Sequence, residues 1–166
     1  MSRPEEEQSG PDSPKELKAR ALRLLMRREH SRVELARKLA PHAESKDAVE
    51  SLLDELVQKK FLSEDRMAEA RAHVLSRKFG ASRVRQDLHA KGVAEETIER
   101  VAAEARTTEV ERATAIFNRK FRDPAASPQD RAKRMRFLAA RGFSHDTIRK
   151  VLAQTGKDDS GEESFD

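Results

Sequence analysis

The sequence predicts an all-α protein in which three tandem three-helix repeats, each resembling a helix-turn-helix, form an elongated, curved array. Three observations predict it. Two stretches of the chain copy each other at a fixed separation, helix start and stop signals mark about nine segments, and no segment alternates apolar with polar residues as a strand would. Each repeat is too small to bury its apolar face alone, so neighbouring repeats must stack. We therefore expect an extended binding surface.

The internal repeat has a period of about 50 residues. Leu88, Lys91, Gly92, Val93, Glu96, Thr97, Ile98, Arg100 and Val101 recur in type as Leu138, Arg141, Gly142, Phe143, Asp146, Thr147, Ile148, Lys150 and Val151. A fainter copy lies upstream at Leu39, Asp47, Val49 and Leu52. The chain therefore divides into repeat 1 (15–62), repeat 2 (63–106) and repeat 3 (107–155).

Repeat 1 is predicted to hold helices at 15–28, 32–40 and 46–58. Ser13 with Glu16, and Ser31 with Glu34, have the spacing of capping boxes at the first two helix starts. Apolar residues then recur at helical spacing, as in Leu17, Ala21 and Leu25. The segment Pro41-His42-Ala43 stands where the other repeats have a glycine turn, which makes repeat 1 the divergent member.

Repeat 2 is predicted to hold helices at 64–79, 82–90 and 95–105. Ser63 marks the first start, and Ser82 is expected to cap the second helix. Gly80 and Gly92 are predicted to end helices in the left-handed conformation that glycine adopts without strain.

Repeat 3 is predicted to hold helices at 109–121, 128–140 and 145–153. Thr108 with Glu111 has the spacing of a third capping box, and Ser127 precedes a proline at the second helix start. Gly142 and Gly156 are predicted to end helices. The phenylalanines at 61, 79, 117, 121, 137 and 143 are interpreted as core residues, not as a base-stacking platform.

Charge is distributed unevenly along the chain. The net charge is +4, but residues 1–14 carry one Arg against four acids and residues 156–166 carry one Lys against five, which leaves about +11 on residues 15–155. Both acidic tails lack the apolar residues that a core needs, so we expect them to be disordered. The basic middle favours an anionic partner, either nucleic acid or an acidic protein surface.

Enzymatic chemistry finds little support. The sequence has no Cys and no Gly-rich phosphate loop, and its five His residues show no spacing typical of metal ligands. Glu64, Asp65 and Glu69 fit the acidic start of a helix. We expect no catalytic residue, no cofactor and no metal. No apolar run reaches the roughly 20 residues that cross a bilayer, and no heptad seam asks for a partner helix, so we expect a cytoplasmic monomer with no membrane contact.

Basic residues cluster near the second helix of every repeat, and equivalent positions of stacked repeats fall along one side of an array. We therefore predict a basic stripe that contacts the partner. Its residues are Arg27, Arg28, Arg32, Arg77, Lys78, Arg83, Arg85, Lys91, Arg131, Arg134 and Arg141.

Four further motifs occur in order along the chain. They are Arg27-Arg28-Glu29-His30-Ser31-Arg32 with Glu34-Leu35 and Lys38-Leu39; Phe61-Leu62-Ser63-Glu64-Asp65-Arg66-Met67-Ala68-Glu69-Ala70; Arg83-Val84-Arg85-Gln86-Asp87-Leu88 with Lys91-Gly92-Val93; and Arg136-Phe137-Leu138 with Arg141-Gly142-Phe143-Ser144. With these motifs the chain resembles the bacterial regulatory protein RecX family over residues 17–153. The sequence departs from the family at Ala81-Ser82, where a proline often follows the glycine.

The resemblance implies three tandem three-helix repeats and a modulator, mostly an inhibitor, of RecA recombinase. Such a protein would lie in the groove of the RecA nucleoprotein filament, contact RecA and in some modes the DNA, and hinder ATP hydrolysis, strand exchange and the co-protease activity behind the SOS response. The alternative from the residues themselves is a helix-turn-helix-type DNA-binding protein that acts without RecA. The sequence alone leaves that alternative open.

Overall fold

The computed structural model describes residues 10–157, and within them every regular element is helical, with no strand. The helices are α1 (Pro14–Arg27), α2 (Arg32–Leu39), α3 (Lys46–Gln58), α4 (Glu64–Ser76), α5 (Ala81–Ala90), α6 (Glu95–Thr107), α7 (Glu109–Lys120), α8 (Pro128–Ala140) and α9 (His145–Lys157). This order confirms the predicted all-α fold of three tandem three-helix repeats.

The first two capping boxes of repeat 1 are present as predicted. The hydroxyls of Ser13 and Ser31 accept the backbone N–H groups of Glu16 and Glu34, and both Glu side chains return to the cap backbone. The amphipathic helices that begin there enclose an aliphatic core. Its buried members are Leu17, Ala21, Leu35, Leu39, Val49, Leu52, Leu53, Leu56 and Leu62.

The divergent turn of repeat 1 is a short 3-10 helix, Ala40–His42, between α2 and α3. After α3, the chain turns through Lys60, whose φ of 61° is in the left-handed region. Lys60 ends a helix in the conformation that Gly92 and Gly142 adopt in the other repeats, although its turn follows the third helix of repeat 1 and not the second. Phe61, the next residue, is half exposed at 49%. The predicted core position of Phe61 is therefore wrong.

The glycine turns of repeats 2 and 3 match in detail. Gly92 and Gly142 have φ values of 73° and 79°. The next residue in each turn, Val93 or Phe143, donates its N–H to the carbonyl of Leu88 or Leu138. These equivalent bonds are the Schellman pattern, and they confirm the turn that the internal repeat predicted.

The other two predicted glycine ends are wrong. Gly80 has a φ of −79° and an extended conformation, and it precedes α5 as the N-cap instead of ending a helix in the left-handed region. Gly156 lies inside α9, which continues to Lys157. Glycine is required at position 80 because its backbone packs closely against that of Gly142, a contact that the local sequence does not reveal.

Two predicted caps are also wrong. The Thr108 side chain makes no capping bond to α7, and its hydroxyl accepts instead from Nε of Arg112 at 3.1 Å. Ser82 is the second residue of α5 and not its cap, since α5 begins at Ala81. At the start of α5 a tertiary contact takes the place of the local cap, because the buried Glu109 carboxylate accepts the N–H of Ala81.

The chain folds as two compact units, one reaching Met67 and the other starting at Ala68. The second unit contains most of repeat 2 and all the described part of repeat 3. The core of repeat 3 consists of Ala113, Phe117, Leu138, Phe143, Ile148, Val151 and Leu152.

The acidic tails lie largely outside the described residues. Residues 10–14 are the described part of the first tail, and there Asp12 pairs with Arg20 through an Nε to Oδ2 distance of 2.7 Å and donates its N–H to the His42 carbonyl. Of the second tail, Gly156 and Lys157 belong to α9. No helix between residues 10 and 157 is long and apolar enough to cross a membrane.

Candidate partner-binding groove

A groove lined mainly by cations lies in the second unit, where α4, α7 and α8 end. Its volume is about 310 Å³. It is lined by Arg77, Lys78, Ile116, Arg119, Lys120, Phe137 and Arg141, and we call it the cationic groove.

The ends of three helices explain why five cations meet here. Arg77 and Lys78 directly follow α4, Arg119 and Lys120 form the last turn of α7, and Arg141 follows α8. The carbonyl end of a helix carries partial negative charge, which favours cations in its last turn. The same local rule, applied at three neighbouring ends, concentrates positive charge on one surface.

Contacts to repeat 2 and to its own repeat 3 hold the Arg141 side chain in place. Its Nη1 donates to the carbonyl of Lys78 at 3.0 Å, and its guanidinium lies over the ring of Phe137 at 4.7 Å. The backbone carbonyl of Arg141 accepts the N–H of Gly80 at 2.8 Å. Arg77, Lys78, Arg119 and Lys120 are exposed, so the groove has one fixed cation and four open ones.

A larger groove of about 690 Å³ adjoins the cationic groove and shares Arg77, Ile116 and Arg119 with it. Its walls come from α4, α6 and α7 and combine apolar residues such as Val101 and Ala105 with the acids Glu69 and Glu104. The combined surface therefore offers apolar and acidic side chains beside a positively charged end.

Arg112 lies under this surface and joins three helices. Its guanidinium donates to the carbonyls of Ser76 at 2.6 Å, Phe79 at 3.0 Å and Ala105 at 2.7 Å. Burial lowers the pKa of Arg112, and the charge of Glu109 opposes that effect. The side chain satisfies carbonyls that the ends of α4 and α6 leave open, so it supports the groove from below.

Several cations of the predicted stripe are engaged within the protein. Arg28 pairs with Glu34, and Arg85 pairs with both Glu95 and Glu99. Arg32 pairs with Glu50 at 2.7 Å and Asp54 at 2.8 Å. The hydrogen bond from Glu50, with a further contribution from Asp54, raises the pKa of Arg32.

Arg134 is buried, with 8% of its surface exposed. It pairs with Asp130 at 2.9 Å and donates to the carbonyls of Asp123 and Pro124. Its guanidinium also lies 4.8 Å from the centre of the Phe121 ring. These contacts give Arg134 a structural role in the loop before α8.

Arg83 lies beside the cationic groove without lining it. Its guanidinium is 5.3 Å from the Phe79 ring centre, and that of Arg141 is 6.0 Å from the same ring. Arg27 is exposed at the end of α1 in the first unit, Lys91 is half-buried at the end of α5, and Arg131 lines a different groove beside α9. Within the second unit, the structure thus brings together Arg77, Lys78 and Arg141 of the predicted set in the groove, with Arg83 next to them.

The predicted stripe omits Arg119 and Lys120, because it contains only basic residues near the second helix of each repeat. Both lie at the end of the first helix of repeat 3. Two adjacent cations that close a strongly amphipathic helix are the sequence signal for them. Among residues 10–157, no group of three or more acidic or His side chains is placed to hold a metal ion.

Comparison with known families matches all three repeats in order. Residues 18–56, 63–101 and 107–152 match the first, second and third three-helix domains of RecX. The chain belongs to the RecX family.

Relatives and solved RecX structures agree with this assignment. The Regulatory protein RecX of Herbaspirillum seropedicae is 46% identical over 142 residues, covering 86% of this chain and 92% of the relative. That of Ralstonia pickettii is 45% identical over 143 residues, covering 86% and 90%. A crystal structure of RecX from Lactobacillus salivarius superposes with a TM-score of 0.74 at 19% identity, covering 85% of this chain and 95% of that one. The RecX relatives are named as regulatory proteins, not as enzymes.

Proposed function

We propose that this RecX-family protein binds RecA and its nucleoprotein filament and inhibits the recombinase, ATPase and co-protease activities. It would thereby modulate homologous recombination and the SOS response. It acts in this proposal as a cytoplasmic monomer, by binding and without catalysis, cofactor or membrane.

The cationic groove is the observation that carries the proposal. Five cations converge there at helix ends, whereas Arg32, Arg85 and Arg134 pair with acids of the same repeat. An anionic partner gains both attraction over roughly 8–10 Å and faster encounter at such a surface. The adjoining groove, with apolar side chains and the acids Glu69 and Glu104, favours a protein partner over bare phosphate, because a folded surface can complement apolar residues and charges of both signs.

The alternative of a helix-turn-helix-type protein that acts on DNA without RecA has less support. A recognition helix reads bases with residues near its N-terminus. In repeats 2 and 3 the third helix begins with acids, which are Glu95 and Glu96 in α6 and Asp146 in α9. The first three residues of each of these helices therefore include none of the Arg, Lys, Asn or Gln side chains that contact phosphates and purine edges.

The test compares two matched charge reversals. Arg119→Glu with Lys120→Glu changes the cationic groove, and Arg37→Glu with Lys38→Glu changes an exposed Arg-Lys pair in the last turn of α2 that does not line it. Each variant reverses the same two charges at the end of one helix. Arg149 and Lys150 are unsuitable as a control, because both pair with Asp146. Circular dichroism and urea unfolding establish that both are folded.

We expect the groove variant to need at least about tenfold more protein for half inhibition of the RecA ATPase on single-stranded DNA, which corresponds to about 1.4 kcal/mol of binding. The α2 variant should inhibit like the parent. DNA binding by the protein alone is measured at the same salt. Equal inhibition by both variants would contradict the groove assignment, and a loss confined to RecA-free DNA binding would favour the alternative.

Arg85 is unsuitable for such a test. Its guanidinium lies between Glu95 and Glu99, so Arg85→Glu would place three carboxylates together and weaken the contact between α5 and α6.

A further inference from the structure

A third groove, separate from the cationic groove and its larger neighbour, lies where α9 ends. Its volume is about 450 Å³, and its walls come from the end of α7, the loop before α8, α8 and α9. Thr155 and Gly156 form part of its edge. The chain therefore leaves α9 directly beside this groove, which we call the α9 groove.

The α9 groove is positively charged. Arg122 and Arg131 line it and are exposed, and Arg134 forms part of its wall. Asp123 is the acid among its lining residues, and Asp130 nearby is already paired with Arg134 at 2.9 Å. The groove keeps a positive balance after these acids are counted.

The wall also contains an unsatisfied donor. Within residues 10–157, Nε of Arg134 is the buried side-chain nitrogen or oxygen that lacks a hydrogen-bond partner. Such groups are rare in folded proteins, because a buried donor without an acceptor destabilises the structure. The Arg134 side chain in this wall therefore keeps hydrogen-bonding capacity that the described residues do not use.

The groove has an apolar side as well. Phe121 is half-buried there, with its ring centre 5.0 Å from that of Phe117 and 5.2 Å from that of Phe137. Pro124 and Ala125 are exposed beside it. An occupant with both carboxylates and one aromatic ring matches this combination.

The nine residues that follow α9 have this composition. Residues 158–166 contain five acids, no Lys or Arg, and Phe165 as their one large apolar side chain. We propose that residues 158–166 dock in the α9 groove of the same chain, with carboxylates facing Arg122 and Arg131 and the Phe165 ring against the Phe121 side.

Length and tethering support an occupant from the same chain. Nine extended residues reach up to about 30 Å, which is ample for a groove that begins at the helix end. A short tether raises the effective concentration of the segment to the millimolar range, so several individually weak ion pairs suffice. Docking withdraws Arg122 and Arg131 from any other anionic partner, and it weakens as salt screens the charges.

The absence of Trp and Tyr from the sequence makes a sharp test available. In the full chain, Phe165→Trp introduces the sole strong fluorophore into the segment. At low salt we expect an emission maximum shifted to the blue, and acrylamide quenching reduced at least twofold, relative to a synthetic peptide of residues 158–166 with the same substitution. Both effects should be independent of protein concentration and should disappear at high salt.

Charge variants locate the docking site. In the Phe165→Trp background, Arg122→Glu with Arg131→Glu should restore the emission of the peptide, whereas Arg37→Glu with Lys38→Glu, an exposed pair at the end of α2, should not. Circular dichroism checks the fold, and Arg122→Gln with Arg131→Gln replaces the reversal if that variant unfolds. The inference is independent of the proposed function, because the emission is measured without RecA or DNA.

Three outcomes would overturn the inference. Emission like that of the peptide at low salt would show that the segment does not dock. A blue shift that grows with protein concentration would assign the groove to a second copy. A shift that survives the Arg122 and Arg131 changes but is lost with Arg119→Glu and Lys120→Glu would place the segment in the cationic groove instead.

Discussion

Gly80 packs against the carbonyl oxygen of Gly142, and a Cβ added to Gly80 would lie 2.3 Å from that oxygen. The N–H of Gly80 also donates to the carbonyl of Arg141 at 2.8 Å. Because φ of Gly80 is −79°, glycine is needed there for the close approach and not for its conformational freedom. Repeats 2 and 3 thus meet backbone to backbone at this point.

Gly80→Ala should destabilise the protein by roughly 1–3 kcal/mol, because one of the two backbone segments must move to admit the methyl group. Urea unfolding followed by circular dichroism measures the change. Gly156→Ala is the matched control, since a Cβ there meets open space within α9 and should be neutral or stabilising by up to about 1 kcal/mol. Equal stabilities for Gly80→Ala and the parent would contradict the close approach.

Glu109→Ala should cost about 2–4 kcal/mol of unfolding free energy. Glu109 is 3% exposed, and its carboxylate accepts from the N–H of Ala81 at 2.8 Å and the hydroxyl of Thr147 at 2.6 Å. Truncation leaves these buried donors without an acceptor. Glu111→Ala, two residues along the same helix and exposed, should stay within about 0.5 kcal/mol of the parent. Similar losses of unfolding free energy for the two variants would show that the buried hydrogen bonds of Glu109 do not stabilise the fold.

The stability should fall as the pH drops from about 7 to 5, in part because of His30. This residue is 2% exposed, with Nδ1 2.9 Å from the carbonyl of Arg28. Burial lowers the pKa of His30, although the hydrogen bond to Arg28 acts in the opposite direction. The unfolded chain therefore takes up a proton near pH 6.5 before the folded chain does, and acid favours unfolding.

Urea midpoints at pH 7, 6 and 5 measure this effect, and NMR titration of the imidazole follows His30 directly. His30→Gln should flatten the pH dependence relative to the parent. An imidazole that titrates at or above the value of an unfolded peptide would refute the prediction.

Lys60→Gly should stabilise the protein by about 0.5–1 kcal/mol. A residue with a Cβ is strained at the observed φ of 61°, whereas glycine is not. The carbonyl of Lys60 accepts from Nη2 of Arg66 at 2.9 Å, and this backbone contact survives the change. Lys60→Val should be destabilising, because a β-branched residue resists positive φ. Thermal melting measures the stability of both variants. A lower melting temperature for Lys60→Gly than for the parent would contradict the prediction.

Local sequence signals predicted the elements well because their causes are local. Ser13 and Ser31 cap their own helices, and Gly92 and Gly142 complete turns within their own repeats. The prediction for Gly80 is wrong because the atom that excludes a Cβ at this position, the carbonyl oxygen of Gly142, lies in the next repeat.

The cationic groove was only partly predictable for the same reason. Sequence shows that a residue is basic but not which acid it meets. Arg32 and Arg85 find partners on neighbouring helices, and Arg134 is buried by the loop before α8. Arg119 belongs to the groove because three helix ends converge, which is a property of packing.

The contact between Glu109 and Ala81 determines how this chain can be divided for study. A fragment that starts at residue 107 keeps the carboxylate but loses the amide it binds, and it strips Arg112 of the Ser76 and Phe79 carbonyls. An isolated repeat 3 would therefore lack contacts that support it in the full chain. The smallest piece that preserves the cationic groove with its supports starts before α4 and ends after α9, so inactivity of any shorter fragment would reflect a damaged surface and not a missing partner site.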